Sequence, residues 1–333
     1  PYCAGAVLSA RGVNSIQDAV SFFSDDKELK DAFLMASMPE AVDSVVAAIK
    51  NNKKIVIFGD FDTDGITSTA ILIRFFKNIA YENVEYIIPK ELDGHGLSIS
   101  AIKKIIESGA GLIITVDNGT NAKDEIDFAE KSGVRVIVTD HHLPDHNFAT
   151  SATAILNPNR PDCLSEFKSY SGGGMALILC MAIAKSIKNL NYISKDLIVL
   201  ATISSIADMV PLVGDNRRLI KSGLKNIKNS NIIGLSLLLD RLYLSGPEDL
   251  SARDVAFRIA PLINAAGKFG LAQSAINLLT SNDRNTINSS IKELLSISAK
   301  RRELLAKAAV DLDPQVKEQS ASRRGFIFVQ GEH

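Results

Sequence analysis

Cysteine is scarce: Cys3, Cys163 and Cys180 are the only three in 333 residues. Their wide spacing supports neither a disulfide framework nor a CxxC zinc site, and points to a reducing, cytoplasmic setting. No apolar run is long enough to span a bilayer, so no membrane association is expected. The start, Pro1-Tyr-Cys-Ala, has no charged-then-apolar leader and no initiator Met, so residues ahead of Pro1 are expected. Net charge is −1, so no overall basic field draws nucleic acid, and any groove for it must be a local cluster of Lys and Arg. There is no internal repeat and no low-complexity tract. With 46% hydrophobic and 23% charged residues, this is the composition of a globular chain long enough for one large domain or two ordinary ones.

Residues 1–50 read as a helical segment with no strand run. From residue 51 the pattern changes. Short apolar runs bounded by turn signals, at 55–58, 84–88, 112–116, 134–138 and 154–156, read as buried strands. Helical patterns at 67–79, 98–107 and 121–132 separate most of them. The alternation predicts an α/β fold with a doubly wound, mainly parallel five-stranded sheet over residues 51–170. Helices then dominate residues 171–283, which complete a catalytic domain of residues 51–283. A long charged connecting helix is expected over 284–313, ended by Asp313-Pro314. Residues 314–333 read as a linker and one strand, at 326–329, opening a second domain.

The first chemical signal is Asp60-x-Asp62-x-Asp64-Gly65, which follows the first strand and precedes an apolar helix. Three carboxylates so close repel one another unless cations neutralise them, and they are the hard oxygen ligands that magnesium and manganese prefer. An EF-hand is a poor fit: its twelfth position should be Glu and is Ile71, and a strand stands where a helix should. A solvated acidic turn with Asp as a helix cap would explain this loop alone. Two further strands, however, end the same way, in Asp117-Asn118-Gly119 and in Asp140-His141-His142. In an open parallel sheet, ligands sit beyond the carboxyl ends of the strands. The three loops therefore meet at one edge and suit a pair of metal ions acting on a phosphate. Carboxylates with a His fit manganese or magnesium better than zinc.

These motifs resemble the DHH phosphoesterase superfamily, and within it the RecJ-type single-strand exonucleases. The resemblance rests on Gly59-Asp-Phe-Asp-Thr-Asp-Gly-Ile-Thr-Ser68, Thr115-Val-Asp-Asn-Gly119, Val138-Thr-Asp-His-His-Leu-Pro144, Leu156-Asn-Pro-Asn159, Gly172-Gly-Gly-Met-Ala176, Ala207-Asp-Met-Val-Pro-Leu212 and Ile263-Asn-Ala-Ala-Gly-Lys268. It implies two Mn2+ or Mg2+ ions bound by Asp62, Asp64, Asp117, His141 and Asp208, with Asp60 as a further ligand or supporting acid. It implies that Asp140 orients the metal-binding His. His142 would contact the phosphate as acid or transition-state stabiliser. Gly172, Gly173 and Gly174 precede a helix. Their N–H groups could face a phosphate, or the glycines could only permit close packing. His95, in Gly94-His95-Gly96-Leu97, is expected near substrate or in a simple turn. Asn264 and Lys268 are further substrate-binding candidates.

The chain departs from the family pattern at Leu262 and Lys268, both usually Arg, and Lys268 lacks the bidentate fork for phosphate. Family members continue into a nucleic-acid-gripping DHHA1 domain, of which residues 314–333 would be only the beginning. Local basic clusters, among them Arg217-Arg218 and Lys300-Arg301-Arg302, are candidate phosphate contacts. The implied activity is 5′→3′ exonucleolytic hydrolysis of single-stranded DNA, with repair or replication proteins as partners. The alternatives are a phosphoesterase for short oligonucleotides, cyclic dinucleotides or nucleoside bisphosphates, and a non-enzymatic replication scaffold. Such small-substrate relatives usually carry His-x-Asn-Pro-Asp where Phe58-Gly-Asp-Phe-Asp62 stands here, and scaffold relatives have degraded metal motifs.

Overall fold

The computed structural model describes residues 2–23, 29–90, 94, 96–146, 148–187, 193–321 and 326–331. Five strands, β1 (Lys54–Phe58), β2 (Val84–Ile87), β3 (Ala110–Val116), β4 (Arg135–Thr139) and β5 (Ala154–Leu156), form one sheet in the order β2-β1-β3-β4-β5. Every pairing is parallel. The order reverses between β1 and β3, which places the ligand crevice at their carboxyl ends.

Successive residues of a strand point to opposite faces, and both faces here are covered. Ile55, Ile57, Leu112, Ile114, Val116 and Ile137 enter one large core. Val56, Phe58, Ile113, Val136 and Val138 enter a smaller one on the other face, with Ile102, Ile105 and Ile126. This two-sided burial explains why the strands read as continuous apolar runs.

Helices α1 (Tyr2–Ser9), α2 (Ile16–Phe23) and α3 (Met38–Lys50) precede the sheet. Met38, Ala41 and Val45 of α3 belong to the large core. Helix α4 (Thr63–Asn78) carries the first acidic loop at its start and is buried along most of its length. Helices α5 (Ile99–Glu107) and α6 (Lys123–Lys131) cover the smaller core. The helical half follows with α7 (Gly172–Ser186), α8 (Lys195–Ala207), α9 (Gly214–Asn226), α10 (Ile233–Arg241) and α11 (Ala252–Asp254). A π-helical turn, Val255–Ile259, leads into α12 (Ala260–Lys268), α13 (Ala272–Thr280) and α14 (Arg284–Ala321). Arg74 of α4 pairs with Asp196 of α8 at 2.6 Å and also donates to the Leu279 carbonyl, tying the two halves together.

Two sequence expectations fail at the carboxyl end. Helix α14 runs through Pro314 to Ala321 instead of ending there. Proline removes one N–H and crowds one turn, which kinks a helix without necessarily ending it. Residues 326–329 carry no assigned strand among the described residues. Their backbone is met by side chains of α14: Phe328 N donates to Gln319 Oε1 (2.9 Å) and Gln315 Nε2 donates to Gln330 O (2.9 Å).

Candidate metal centre

Each acidic motif sits where a strand ends against a helix, and the surrounding backbone fixes its carboxylate. Asp62 caps α4, accepting from Gly65 N at 2.9 Å. Asp64, in the first turn of α4 and buried, accepts Gly172 N (2.7 Å), Gly173 N (2.9 Å) and Ser204 Oγ (2.5 Å). Asp60 is buried beside them. Asp117 follows β3 in the left-handed region (φ 62°), where Asp and Asn are the least disfavoured side chains, and its N–H donates to Thr139 O at 2.9 Å. Asp208 ends α8, and the next residue, Met209, is also left-handed (φ 54°).

His141 joins these acids. Its Nε2 lies 3.0 Å from Asp117 Oδ1 and 3.6 Å from Asp64 Oδ2, and its Nδ1 lies 3.8 Å from Asp208 Oδ2. Two donor sets are thus close enough to hold an ion each: Asp60, Asp62 and Asp117 on one side, and Asp64, His141 and Asp208 on the other. Asp117 and His141 touch across the boundary, so a carboxylate of Asp117 is placed to serve both sets.

The electrostatics fit cations. Burial pushes the Asp117 carboxyl well above its ordinary value, helped by the charges of Asp64, Asp62 and Asp140. Burial, and then Asp64, raise Asp208 to about 6 and also raise Asp62. Hard carboxylate oxygens with one imidazole per pair of sites suit Mg2+ or Mn2+.

Asp140 differs from the other acids. It is buried, and its Oδ1 accepts from His141 N (2.8 Å), His142 N (3.2 Å) and His142 Nδ1 (2.7 Å), while Oδ2 accepts from Thr120 N (3.0 Å). Despite burial, these bonds and the His142 charge lower it to about 2. The same contact raises His142 to about 9. Asp140 also belongs to a possible third donor group with Asp117, His141 and His142, but four N–H groups already occupy its oxygens. The expectation that Asp140 orients the ring of His141 needs correcting: it holds the ring of His142 and only the backbone N–H of His141.

The glycine run is also placed differently from its phosphate-facing reading. Gly172 N and Gly173 N are taken by Asp64, and Gly174 N is taken by Ser171 Oγ at 3.1 Å. A Cβ on Gly172 would lie 2.6 Å from the Asp117 Cβ, and one on Gly173 would lie 2.3 Å from Ser204 Oγ. The glycines let the amino end of α7, with its partial positive charge, press directly on the acids. Of the remaining candidates, Asn264 lines a cleft of about 430 Å³ with Asp62, Asp64 and Asp208. Lys268 is exposed and lines none of the three clefts at the acids. His95 lies outside the described residues.

Several supporting residues escaped sequence reading. Ser204 and Ser171 bond each other at 2.7 Å, and Ser204 holds Asp64. Asn157 donates to His142 O (2.8 Å) and to Thr120 Oγ1 (2.8 Å), while Asn159 donates to His141 O (2.5 Å). The available signals were the two adjacent serines in the largely apolar run of α8 and, for Asn157 and Asn159, the quoted Leu156-Asn-Pro-Asn159 stretch.

An acid-and-histidine cluster at the crevice of a parallel sheet, backed by a helical half, is a site suited to a pair of divalent metal ions. A family model described as "DHH family, N-terminal domain" matches residues 54–204. The chain is 32% identical to the single-stranded-DNA-specific exonuclease RecJ of Bacillus subtilis, over 98% of this chain and 40% of that protein. It superposes on a crystal structure of exonuclease RecJ bound to manganese with TM-score 0.77 and 34% identity, covering 84% of this chain and 70% of that one. A RecJ from Thermus thermophilus in complex with Mn2+ gives TM-score 0.78 at 31% identity, over 92% of this chain and 43% of that one. The chain belongs to the DHH family, among the RecJ-type proteins. It spans about half the length of the curated relatives it matches.

Proposed function

We propose that this chain hydrolyses phosphodiester bonds of single-stranded DNA from a 5′ end, releasing 5′-mononucleotides. The supporting observation is the pairing of the two donor sets through Asp117 and His141. Manganese- and magnesium-bound RecJ structures are its relatives in sequence and fold. The catalytic unit under this reading is residues 51–283, with α14 as connecting helix.

Two Mn2+ or Mg2+ ions, held by Asp60, Asp62 and Asp117 and by Asp64, His141 and Asp208, would offset the charge of the attacked phosphate and make water a better nucleophile. The protein's own groups do the rest. Asp64 is fixed by α7 and Ser204, so it need not reorganise as charge builds up. His142, raised to about 9 by its hydrogen bond to Asp140, exposes its ring to a cleft shared with Asp60 and Asp117. With Nδ1 committed to Asp140, its Nε2 can hydrogen-bond a phosphoryl oxygen and give a proton to the departing oxygen. Among the described residues, clefts leave the acids lined by Asn264 and Asp208, by Gly119 and His142, and by Lys168 and Tyr170. Such an open arrangement suits a strand better than a small enclosed ligand.

The test is manganese-dependent degradation of labelled 5′-phosphorylated single strands of graded length. Stepwise release of mononucleotides from long strands is expected. Activity restricted to dinucleotides would move the assignment to a small-substrate phosphoesterase. Intact ion binding with no hydrolysis of any strand would favour a scaffold.

A further inference from the structure

The cleft toward the helical half has lining residues that the hydrolytic chemistry leaves unused. Beside Asp62, Asp64 and Asp208 it is lined by Phe257, Asn264 and Arg301. Arg301 is the one basic residue in that lining and is half-buried. Among the described residues its guanidinium has no hydrogen-bond or ion-pair partner. It is carried by α14, which Ile287, Ile291 and Leu294 anchor in the large core about two turns earlier. The guanidinium therefore projects from a fixed support. It shares a cleft with carboxylates and bonds none of them.

Phe257 lines the same cleft from the π-helical turn, with its residue surface 75% exposed. A single exposed Phe is ordinary. An exposed Phe that shares an acid-lined cleft with an uncommitted Arg is less so, and π-turns recur at functional sites. A phenyl face stacks on any base, and a guanidinium grips phosphate through two parallel N–H bonds.

We propose that this cleft is the nucleotide subsite next to the scissile phosphate: Phe257 stacks on a base and Arg301 binds a backbone phosphate. The proposal rests on the nucleolytic reading above and deepens it. Base-tolerant stacking gives no sequence preference, and Arg301 supplies positive charge at the acids themselves, where a chain of net charge −1 must rely on local basic groups to hold phosphate.

The test measures kcat/KM for a short 5′-phosphorylated strand and, in an Asp117→Ala background, its Kd by fluorescence anisotropy. Phe257→Ala should lower kcat/KM and weaken binding about tenfold, with Phe257→Trp close to the unsubstituted chain. An abasic site moved along the first few nucleotides should reproduce that loss at one position, and there Phe257→Ala should add nothing. Arg301→Ala should behave in the same way toward a neutral methylphosphonate at one linkage, with Arg301→Lys recovering only part. Circular dichroism melting checks that the variants fold. Losses that add at every abasic position, or variants that bind and cut as the unsubstituted chain does, would overturn the subsite while leaving nucleolysis standing. An unsubstituted chain that binds manganese yet neither binds nor cuts any strand overturns the nucleolytic reading, and the subsite with it.

Discussion

His142 Nδ1 lies 2.7 Å from Asp140 Oδ1, and that contact decides which ring nitrogen is left for the cleft. The buried carboxylate also keeps the imidazole protonated, lifting it to about 9 although the ring edge is solvent-exposed. Asp140→Asn removes the charge and lets His142 fall back toward its ordinary value of about 6.5. The alkaline limb of the pH–rate profile should then move down by roughly a unit or more, and kcat should fall by about 10² or more. Bound cations lower the limb in both proteins, so the comparison stands. An unmoved limb would show that His142 is not the titrating acid.

The metal-free protein should lose stability as the pH rises. Asp117, Asp62 and Asp208 all hold their protons more tightly when folded than the unfolded value of about 3.9, Asp208 up to about 6. A raised carboxyl contributes stability fully below about pH 4 and loses it as the pH climbs through about 6. Asp140 does not oppose this, since its lowered value of about 2 keeps it ionised throughout. Melting in chelator should therefore be higher near pH 5 than near pH 7.5, and manganese should reverse the order. Asp117→Asn should flatten the chelator profile and abolish hydrolysis. A flat profile in the unsubstituted chain would contradict the crowding of charge described here.

Much of this was legible in the sequence because it is local. A strand followed at once by Asp and a turn residue places that Asp at the sheet's carboxyl edge, which is why Asp62, Asp64, Asp117 and His141 could be named together. Asp208 was different. An Asp ending an apolar helix is usually a cap, and only the family resemblance marked it. Ser204 and Asn159 act across long sequence separations, which no local pattern records. The glycine run stayed open between phosphate contact and close packing for a related reason: an amino-terminal N–H can serve a phosphate or a carboxylate equally well, and only the fold brings Asp64 to it. Pro314 was read as a stop, although the helix continues through it.

The close approach of α7 can be tested by adding single methyl groups. In Gly172→Ala the new Cβ would lie 2.6 Å from the Asp117 Cβ, so the helix end must retreat and release Asp64. Overpacking of this kind costs about 1–3 kcal/mol, so melting should drop and manganese affinity should weaken. Gly174→Ala is the internal control, because its Cβ would meet nothing nearer than 3.4 Å. Removing a helical glycine there should leave ion binding intact and raise stability by roughly 0.4–1 kcal/mol. Calorimetric titration and melting separate the two outcomes. Equal behaviour of the two variants would remove the steric role assigned to Gly172.

The division into two donor sets predicts how ions are lost. Asp60 belongs only to the set with Asp62 and Asp117, and Asp208 only to the set with Asp64 and His141. Asp60→Ala and Asp208→Ala should therefore each reduce the calorimetric stoichiometry from two manganese ions to one, while the remaining ion keeps most of its affinity. Asp117→Ala should weaken both, since its carboxylate lies at the junction beside His141. Electron paramagnetic resonance adds an independent readout. Two Mn2+ ions about 3.5–4 Å apart are exchange-coupled. The coupled signal should vanish in Asp60→Ala and Asp208→Ala and leave the spectrum of an isolated ion. Removing one carboxylate also relieves repulsion among its neighbours, so both variants should melt higher than the unsubstituted chain in chelator. That gain separates loss of a ligand from loss of the fold. A coupled pair that survives Asp208→Ala would mean that both ions lie on the Asp60 side, and the two-set description of the centre would be wrong.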